Sequence, residues 1–268
     1  MRAVQTVGII IVAFAALSGC IVGVGPDRVI DRTYEVPAGA GLTVTADVGS
    51  VTVESWTGPT MAVTATVRST APFFGGTNPD EVEIDVDLTD GVTVRALPDN
   101  RRNISVSFDI KIPSGMSVER IHTETGSIDI AGVPVDGVVE TTTGSIDVAD
   151  VTGFPTISSS TGSIDVTGGD GVLSARTDTG SIDVEFRGLP SASIIPITTS
   201  TGSIRVRLST SIDVDVRGET EIGSVSVDGD LDFNGTVDDD VIVGTVGAGG
   251  AQTIDVPTTT GSVSFLRL

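Results

Sequence analysis

A short motif, Gly-Ser followed by a strand-like alternating segment, recurs along this chain and constrains its fold more than any other feature. The clearest copies read Gly-Ser-Ile-Asp-Ile/Val and begin at Gly126, Gly144, Gly162 and Gly180. Weaker copies begin at Gly202, Gly223 and Gly261, and an isolated earlier copy begins at Gly49. From Gly126 to Gly223 the steps are 18, 18, 18, 22 and 21 residues. A repeat of this length is one supersecondary unit that must stack on its neighbours to bury its apolar face.

Each copy alternates with a period of two, so Ile128 and Ile130 are expected to point inward and Asp129 outward. Helix patterns are absent, and β-branched residues, glycine and turn residues dominate. The sequence therefore predicts an all-β fold, a parallel β-solenoid or β-helix-like stack with coils of about 18–22 residues. An antiparallel sandwich of short strands is the competing architecture.

The repeats divide the chain into regions. Residues 119–268 form the regular solenoid repeats, and residues 33–118 form a less regular β opening region at one end of the stack. The 38 residues from Gly223 to Gly261 fit two coils if Gly244 marks a weak copy. The chain ends on a strand-like segment, Ser262–Leu268, with no capping segment after it. An open final strand is a template for pairing, which would allow self-association through Ser262–Leu268. The alternative is that Leu266 and Leu268 fold back or that Arg267 blunts the edge.

The N-terminus has the features of an export signal. Val7–Leu17 is an apolar run of 11 residues, which suits a signal peptide and is too short to span a bilayer. It leads into Leu17-Ser-Gly-Cys20, which resembles a lipoprotein cleavage box. The sequence predicts a signal peptide at 1–19, a lipid on Cys20, a tether at 20–32, and attachment to the outer face of the cell membrane or envelope. An ordinary signal peptide with a chance cysteine, or an uncleaved anchor, is the alternative.

Composition excludes several classes of function. Cys20 is the only cysteine and His122 the only histidine, so neither an intrachain disulfide nor a Cys/His metal cluster can form. The 36 acidic residues against 15 basic ones give a net charge of −21, which repels nucleic acid phosphates. Asp outnumbers Glu, and Lys111 is the only lysine, a composition typical of proteins from salt-loving organisms. An acidic surface protein of ordinary salt tolerance is the alternative.

Acidic residues give two candidate cation sites. The repeat predicts that one aspartate of each coil points outward, so that successive coils form a surface ladder of Asp129, Asp147, Asp165 and Asp183. Arg205 occupies the same position in the next copy. We interpret this ladder as a solvated face suited to high salt, with weak cation binding as the alternative. A second segment, Asp230-Leu-Asp-Phe-Asn-Gly235, matches the start of a calcium loop, with candidate ligands Asp230, Asp232, Asn234 and Asp238. Its twelfth position is Val241 where a bidentate Glu belongs, so an acidic strand and turn is the competing interpretation.

Thr-x-Thr or Ser-x-Thr precedes most of the Gly-Ser copies, which invites comparison with solenoids that bind ice through outward threonines. The intervening residues include Glu124 and Asp178, which would then be buried without partners. The threonines are therefore expected to line the inner corner, with the charged residues between them facing water. No G-x-S-x-G, H-E-x-x-H or P-loop motif occurs, and no cofactor is expected beyond weakly bound Ca²⁺ or other cations.

Three segments resemble a family of candidate adhesins of unknown function found on prokaryotic envelope proteins. They are YEVPAGAGLTVTADVGSVTVESWTG from Tyr34, FDIKIPSGMSVERIHTETGSIDI from Phe108, and the TTTGSIDV-type repeats. The resemblance covers residues 33–268, implies a β-solenoid-like fold and a surface setting, and supplies no catalytic residues.

Together these features predict a non-catalytic, lipid-anchored envelope module that binds an envelope protein or glycan, or its own copies. A lyase or hydrolase acting on polysaccharide through an Asp-lined face is one alternative, and a purely structural surface spacer is another.

Overall fold

The structure is a computed structural model that describes residues 27–70, 78–97 and 103–268. The predicted signal peptide at 1–19 and the predicted lipid site at Cys20 lie outside the described residues. Within the described ranges no helix is long and apolar enough to cross a membrane.

The opening region contains seven strands and one 3-10 helix. They are β1 (Arg28–Tyr34), β2 (Gly41–Val48), β3 (Val51–Trp56), β4 (Met61–Ser69), η1 (Pro79–Glu81), β5 (Glu83–Asp87), β6 (Val92–Leu97) and β7 (Ile104–Pro113). The repeats contain the remaining strands: β8 (Ser117–Thr125), β9 (Ile128–Ala131), β10 (Val135–Thr143), β11 (Ile146–Ala149), β12 (Thr156–Thr161), β13 (Ile164–Thr167), β14 (Ser174–Thr179), β15 (Ile182–Phe186), β16 (Ile194–Thr201), β17 (Ile204–Leu208), β18 (Val214–Ile222), β19 (Val225–Val227), β20 (Phe233–Val237), β21 (Val241–Val246), β22 (Thr253–Thr260) and β23 (Val263–Arg267).

These strands form two large, mostly parallel sheets. Sheet A has 11 strands in the order β1-β4-β7-β3-β9-β11-β13-β15-β17-β23-β19. Sheet B has 12 strands in the order β20-β21-β18-β22-β16-β14-β12-β10-β8-β2-β6-β5. We call a sheet B strand, its Gly-Ser corner and the sheet A strand that follows a rung, as in β10–β11.

Neighbouring rungs pair in parallel with equivalent residues side by side. Ile146 lies opposite Ile128 on one side and Ile164 on the other. The prediction of an all-β chain with parallel, stacked repeats is confirmed. The rungs do not pair antiparallel, as a sandwich of short hairpins would require. The inward side chains of both sheets, including the fully buried Ile128 and Ile146, form one continuous core.

The corner between the sheets depends on a buried hydroxyl and a glycine. Thr177 Oγ1 donates a hydrogen bond of 2.9 Å to the carbonyl oxygen of Gly162 in the preceding rung. Equivalent bonds link the other rungs, from Thr123, Thr141, Ser159, Thr199, Thr220 and Thr258. These residues are buried while Glu124 and Asp178 are exposed, as predicted. The second threonines, such as Thr143 and Thr179, are exposed, so the prediction that the threonines line the inner corner holds only for the first of each pair.

The order of rungs in space differs from their order in the chain. The last rung, β22–β23, lies between β16–β17 and β18–β19, so β23 pairs with β17 on one side and β19 on the other. The prediction that Ser262–Leu268 is an open final strand is therefore wrong, because both edges of β23 are paired. The two coils expected between Gly223 and Gly261 are also absent, since β20 and β21 form an antiparallel hairpin at the end of sheet B.

The opening region adds one regular rung and a set of antiparallel strands. β2–β3 carries the isolated Gly49 copy and pairs in parallel with β8–β9, as a member of the repeat would. Beyond it, β6 and β7 pair in parallel with β2 and β3. Farther out, β4 and β1 extend sheet A antiparallel, and β5 is the antiparallel end strand of sheet B. The predicted tether at 20–32 is too long by several residues, because β1 begins at Arg28 and pairs along its whole length with β4.

Candidate functional site

The four aspartates of the predicted ladder lie in register on the outward face of sheet A. Asp147 is opposite Asp129 and Asp165, and Asp183 continues the row. Arg205 is the next residue across the sheet, opposite Asp183, but its guanidinium is 4.0 Å from that carboxylate. Arg207 approaches more closely, with Nη1 at 2.6 Å from Asp183 Oδ1.

Partial burial and mutual repulsion act on this ladder together. Burial raises the pKa of Asp147, and the charge of Asp129 raises it further. Burial also raises the pKa of Asp165, with the repulsion of Asp147 added and the attraction of Arg207 opposed to it. The pKa of Asp183 is raised by burial in spite of Arg207. The ladder is thus a place where the folded chain holds protons more tightly than the unfolded chain does.

The double variant Asp147→Asn/Asp165→Asn is expected to melt a few degrees above the wild type at pH 7. A carboxyl whose pKa is raised by folding contributes stability below its ordinary pKa of 3.8, and this contribution is lost as pH rises through the folded value. The advantage of the variant should therefore shrink as pH falls toward 3.8. Thermal unfolding of both proteins across this pH range measures the difference.

Measurements at high salt separate the effect of burial on the ladder from that of repulsion between its aspartates. At about 1 M salt the Debye length is about 3 Å, shorter than the rung spacing of about 4.8 Å, so repulsion between neighbouring aspartates is largely screened. The wild type should then gain more from salt than the variant does. An advantage that stays constant from pH 3.8 to pH 7, or a variant less stable than the wild type at pH 7, would contradict this explanation.

The predicted calcium ligands are not brought together. Asp230 and Asp232 precede β20, Asn234 lies within it opposite Thr245, and Asp238 follows it at the turn into β21. Asp238 is therefore separated from Asp232 by the length of a five-residue strand. Across residues 27–70, 78–97 and 103–268 no group of three or more His, Cys, Asp or Glu side chains is arranged to hold a metal ion.

A second polar site lies on the outward face of sheet B, and it is a groove. One row of paired residues crosses four strands and consists of His122, Glu140, Ser158 and Arg176. The neighbouring row consists of Thr142, Ser160 and Asp178. The small side chains of Ser158 and Ser160 lie between larger ones on both sides, and this leaves a depression of about 300 Å³. We call these seven residues the sheet B groove.

Charged groups of both signs border the groove. Glu140 forms an ion pair with Arg120, and its Oε1 is 3.1 Å from His122 Nδ1 without the alignment of a hydrogen bond. On the other side, Arg176 Nη2 is 2.7 Å from Asp178 Oδ1. The groove thus offers hydroxyl, carboxylate, guanidinium and imidazole groups within a few rungs, and none of the described residues that line it carries a hydrocarbon side chain.

Three solved structures are similar to this chain. A candidate cell adhesion protein from Clostridium sporogenes has a TM-score of 0.46 at 12% identity, over 91% of this chain and 100% of its own. A candidate adhesin from Bacteroides fragilis has a TM-score of 0.41 at 12% identity, over 90% and 97%. A third, from Parabacteroides merdae, has a TM-score of 0.27 at 11% identity, over 90% and 96%.

No protein-family model matches the sequence. No curated protein matches it either. At identities of 11–12% and TM-scores below 0.5, a shared function does not follow from the three structural likenesses.

Sequence reasoning located the ladder residues but missed the groove. The ladder repeats one residue type at one position of the motif, so it is visible in a single line of sequence. The groove is formed by different residue types at one position, from His122 to Arg176, and only the register of the strands shows that they adjoin. Aligning the segments before each Gly-Ser and reading down that column would have found it.

Proposed function

We propose that this chain is a non-catalytic binding module of the cell envelope, and that the sheet B groove contacts a hydroxyl-rich ligand such as an envelope glycan. The observation that carries this proposal is the groove's lining, which consists of side chains that exchange hydrogen bonds with hydroxyl groups. A lining that consists of polar side chains favours a hydrated, polar ligand over an apolar one. Successive rungs about 4.8 Å apart repeat such groups at intervals comparable with the advance per sugar of an extended polysaccharide.

The proposal includes a β-solenoid architecture and a lipid anchor at Cys20. The parallel, in-register rungs and their shared core support a solenoid of stacked coils. Only seven residues separate Cys20 from Arg28, and fully extended they reach at most about 30 Å. A lipid at Cys20 would keep the β1 end of the stack near the membrane and project the β20 end outward by roughly 50 Å, the length of eleven strand spacings.

Filling the groove tests the proposal. Oligosaccharides of glucose, N-acetylglucosamine and uronic acids are screened for binding to the purified chain, and the best binder is titrated calorimetrically. Ser160→Tyr places a large side chain in the depression and should weaken binding by about tenfold or more, the loss of a well-placed contact. Thr259→Tyr is the matched control, because Thr259 is exposed in the same sheet on β22, outside the groove.

The same samples test the absence of catalysis. The bound oligosaccharide should be recovered intact after prolonged incubation, as judged by mass spectrometry. Cleavage that disappears in Asp147→Asn/Asp165→Asn would instead support a polysaccharide-active enzyme on the Asp face. Failure of every oligosaccharide to bind, or equal losses in Ser160→Tyr and Thr259→Tyr, would reject the groove as the glycan site.

A further inference from the structure

The end of sheet B exposes an edge strand that pairs on one side only. β20 is the terminal strand of the sheet and pairs antiparallel with β21 alone. Asp238 N–H donates to Val241 O and Gly247 N–H donates to Asp232 O, so the even-numbered residues of this segment bond toward β21. Because bonding alternates along an antiparallel strand, Gly235 and Val237 direct their N–H and C=O groups away from the sheet.

The opposite end of the same sheet is closed to such pairing. Arg28 Nη1 donates to the carbonyl oxygens of Pro79 and Val82, at 3.0 and 2.7 Å. Arg32 Nη1 donates to the carbonyl oxygen of Ile84 in β5 at 3.1 Å. These side chains of β1 occupy backbone acceptors at the β5 edge. Within the described parts of the chain, no side chain does this for Gly235 or Val237.

The β20 edge is also partly apolar. The ring of Phe233 lies over Gly235 and Gly244, where a Cβ on either glycine would come within 2.7 and 2.5 Å of it. Val237 remains 46% exposed at the end of the strand. An extended edge with outward-facing donors and acceptors is the geometry that accepts an added strand.

The charge around this edge identifies the kind of strand that fits it. Five exposed aspartates flank β20: Asp230, Asp232, Asp238, Asp239 and Asp240. Arg217, on the neighbouring part of the sheet, is paired with Glu219 at 2.8 Å. A second copy of this chain would present an acidic edge, whether it paired through β5, whose sequence is EIDVD, or through its own aspartate-flanked β20. A basic segment would instead meet opposite charge at both ends of the strand.

We propose that β20 binds an extended, Lys/Arg-rich segment of another protein by strand addition. The segment pairs with the outward backbone groups of Gly235 and Val237, and its cations lie against the aspartates at each end. The edge is separate from the sheet B groove, which lies on β8–β14, so either site can be lost without the other.

Peptide binding to the purified Cys20→Ser chain tests this. The probe is a labelled ten-residue peptide of alternating valine and lysine, and its counterpart has glutamate in place of lysine. We expect the lysine peptide to bind, with an affinity that falls by about tenfold or more between 0.05 and 0.5 M salt, since opposite charges are screened. The glutamate peptide should not bind. Hydrogen exchange of the Gly235 and Val237 amides should slow when the lysine peptide is added.

Variants locate the binding. Val237→Pro removes one outward N–H and should abolish binding, whereas Val237→Ala retains that N–H and should bind within about threefold of the wild type. Asp238→Asn/Asp239→Asn/Asp240→Asn leaves the backbone donors in place and should weaken binding of the lysine peptide by about tenfold. Asp129→Asn/Asp147→Asn/Asp165→Asn removes the other acidic face and should leave binding unchanged.

Two results would overturn the proposal. One is lysine-peptide binding that survives Val237→Pro or disappears in the Asp129/Asp147/Asp165 variant, which would place the peptide elsewhere. The other is wild-type self-association in sedimentation that grows with salt and is lost in Val237→Pro, which would make a second copy the occupant. The signs of the salt dependence are opposite in the two cases, so one titration distinguishes them.

Discussion

Replacing Gly162 by alanine should lower the free energy of unfolding by about 3 kcal/mol. Gly162 has a φ of +149°, and a Cβ at this position would lie 1.9 Å from the carbonyl oxygen of Gly144 in the preceding rung. That oxygen belongs to the backbone of a paired corner and cannot move aside without breaking the register. Alanine therefore adds backbone strain and a steric clash at the same position. Urea denaturation of the wild type and the variant measures the loss.

Two other glycines separate these effects. Gly39 has a φ of +76° and no atom within 4 Å of the position that a Cβ would take, so Gly39→Ala adds strain alone and should cost about 1 kcal/mol. Gly229 also has open space around it and is not among the positive-φ residues, so Gly229→Ala should be nearly neutral. If Gly162→Ala were as stable as Gly229→Ala, the close stacking of corner glycines would be wrong.

Deleting residues 253–268 should prevent the chain from folding as one cooperative unit. These residues form β22 and β23, an interior rung whose loss leaves β16, β17 and β18 unpaired on one side and β19 without its partner. Ile254, Val256, Val263 and Phe265 are fully buried. At about 2 kcal/mol per buried side chain, their removal alone costs about 8 kcal/mol, comparable with the whole stability of a typical domain. Circular dichroism and limited proteolysis report the outcome.

A deletion of equal size at the end of the sheet provides the control. Replacing residues 232–247 by a short Gly-Ser linker removes β20 and β21 and leaves every rung in place. This variant should retain a cooperative unfolding transition. The opposite result, a folded chain without residues 253–268 and an unfolded one without the hairpin, would mean that the rungs stack in chain order.

The local structure of each rung could be predicted because it depends on a short pattern. Alternation at Ile128-Asp129-Ile130 sets which side chains point inward, and equal spacing places equivalent residues side by side. The buried corner threonines could be predicted because the residues between them, such as Glu124 and Asp178, are too polar to be buried unpaired.

The order of the rungs could not be predicted in the same way. Every copy offers the same Gly-Ser corner and the same apolar positions, so the local pattern does not say which copies adjoin. The Gly261 copy lies between those of Gly202 and Gly223, and long connections through the β20–β21 hairpin determine this. The Gly223 and Gly261 copies even have similar sequences, Gly-Ser-Val-Ser-Val and Gly-Ser-Val-Ser-Phe, yet the first forms the edge strand of sheet A and the second lies inside the sheet.

The calcium-loop motif and the groove show that local sequence patterns are also limited in predicting functional sites. The residues of Asp230-Leu-Asp-Phe-Asn-Gly235 match a ligand spacing, but the chain uses them to enter β20, where Asn234 pairs across the hairpin with Thr245. The groove has no motif at all, because His122, Glu140, Ser158 and Arg176 come from four strands. Spacing along the chain finds sites within one loop, and this site lies across the strands of a sheet.

Chemical-shift mapping by NMR, with the best-binding oligosaccharide titrated into the isotope-labelled chain, is the most direct test of the proposed function. We expect the perturbed amides to cluster on β8, β10, β12 and β14 around Ser158 and Ser160, with those of the Asp ladder unchanged. Perturbations centred on Asp129, Asp147 and Asp165, or spread over both sheets without a centre, would contradict the assignment of ligand binding to the sheet B groove.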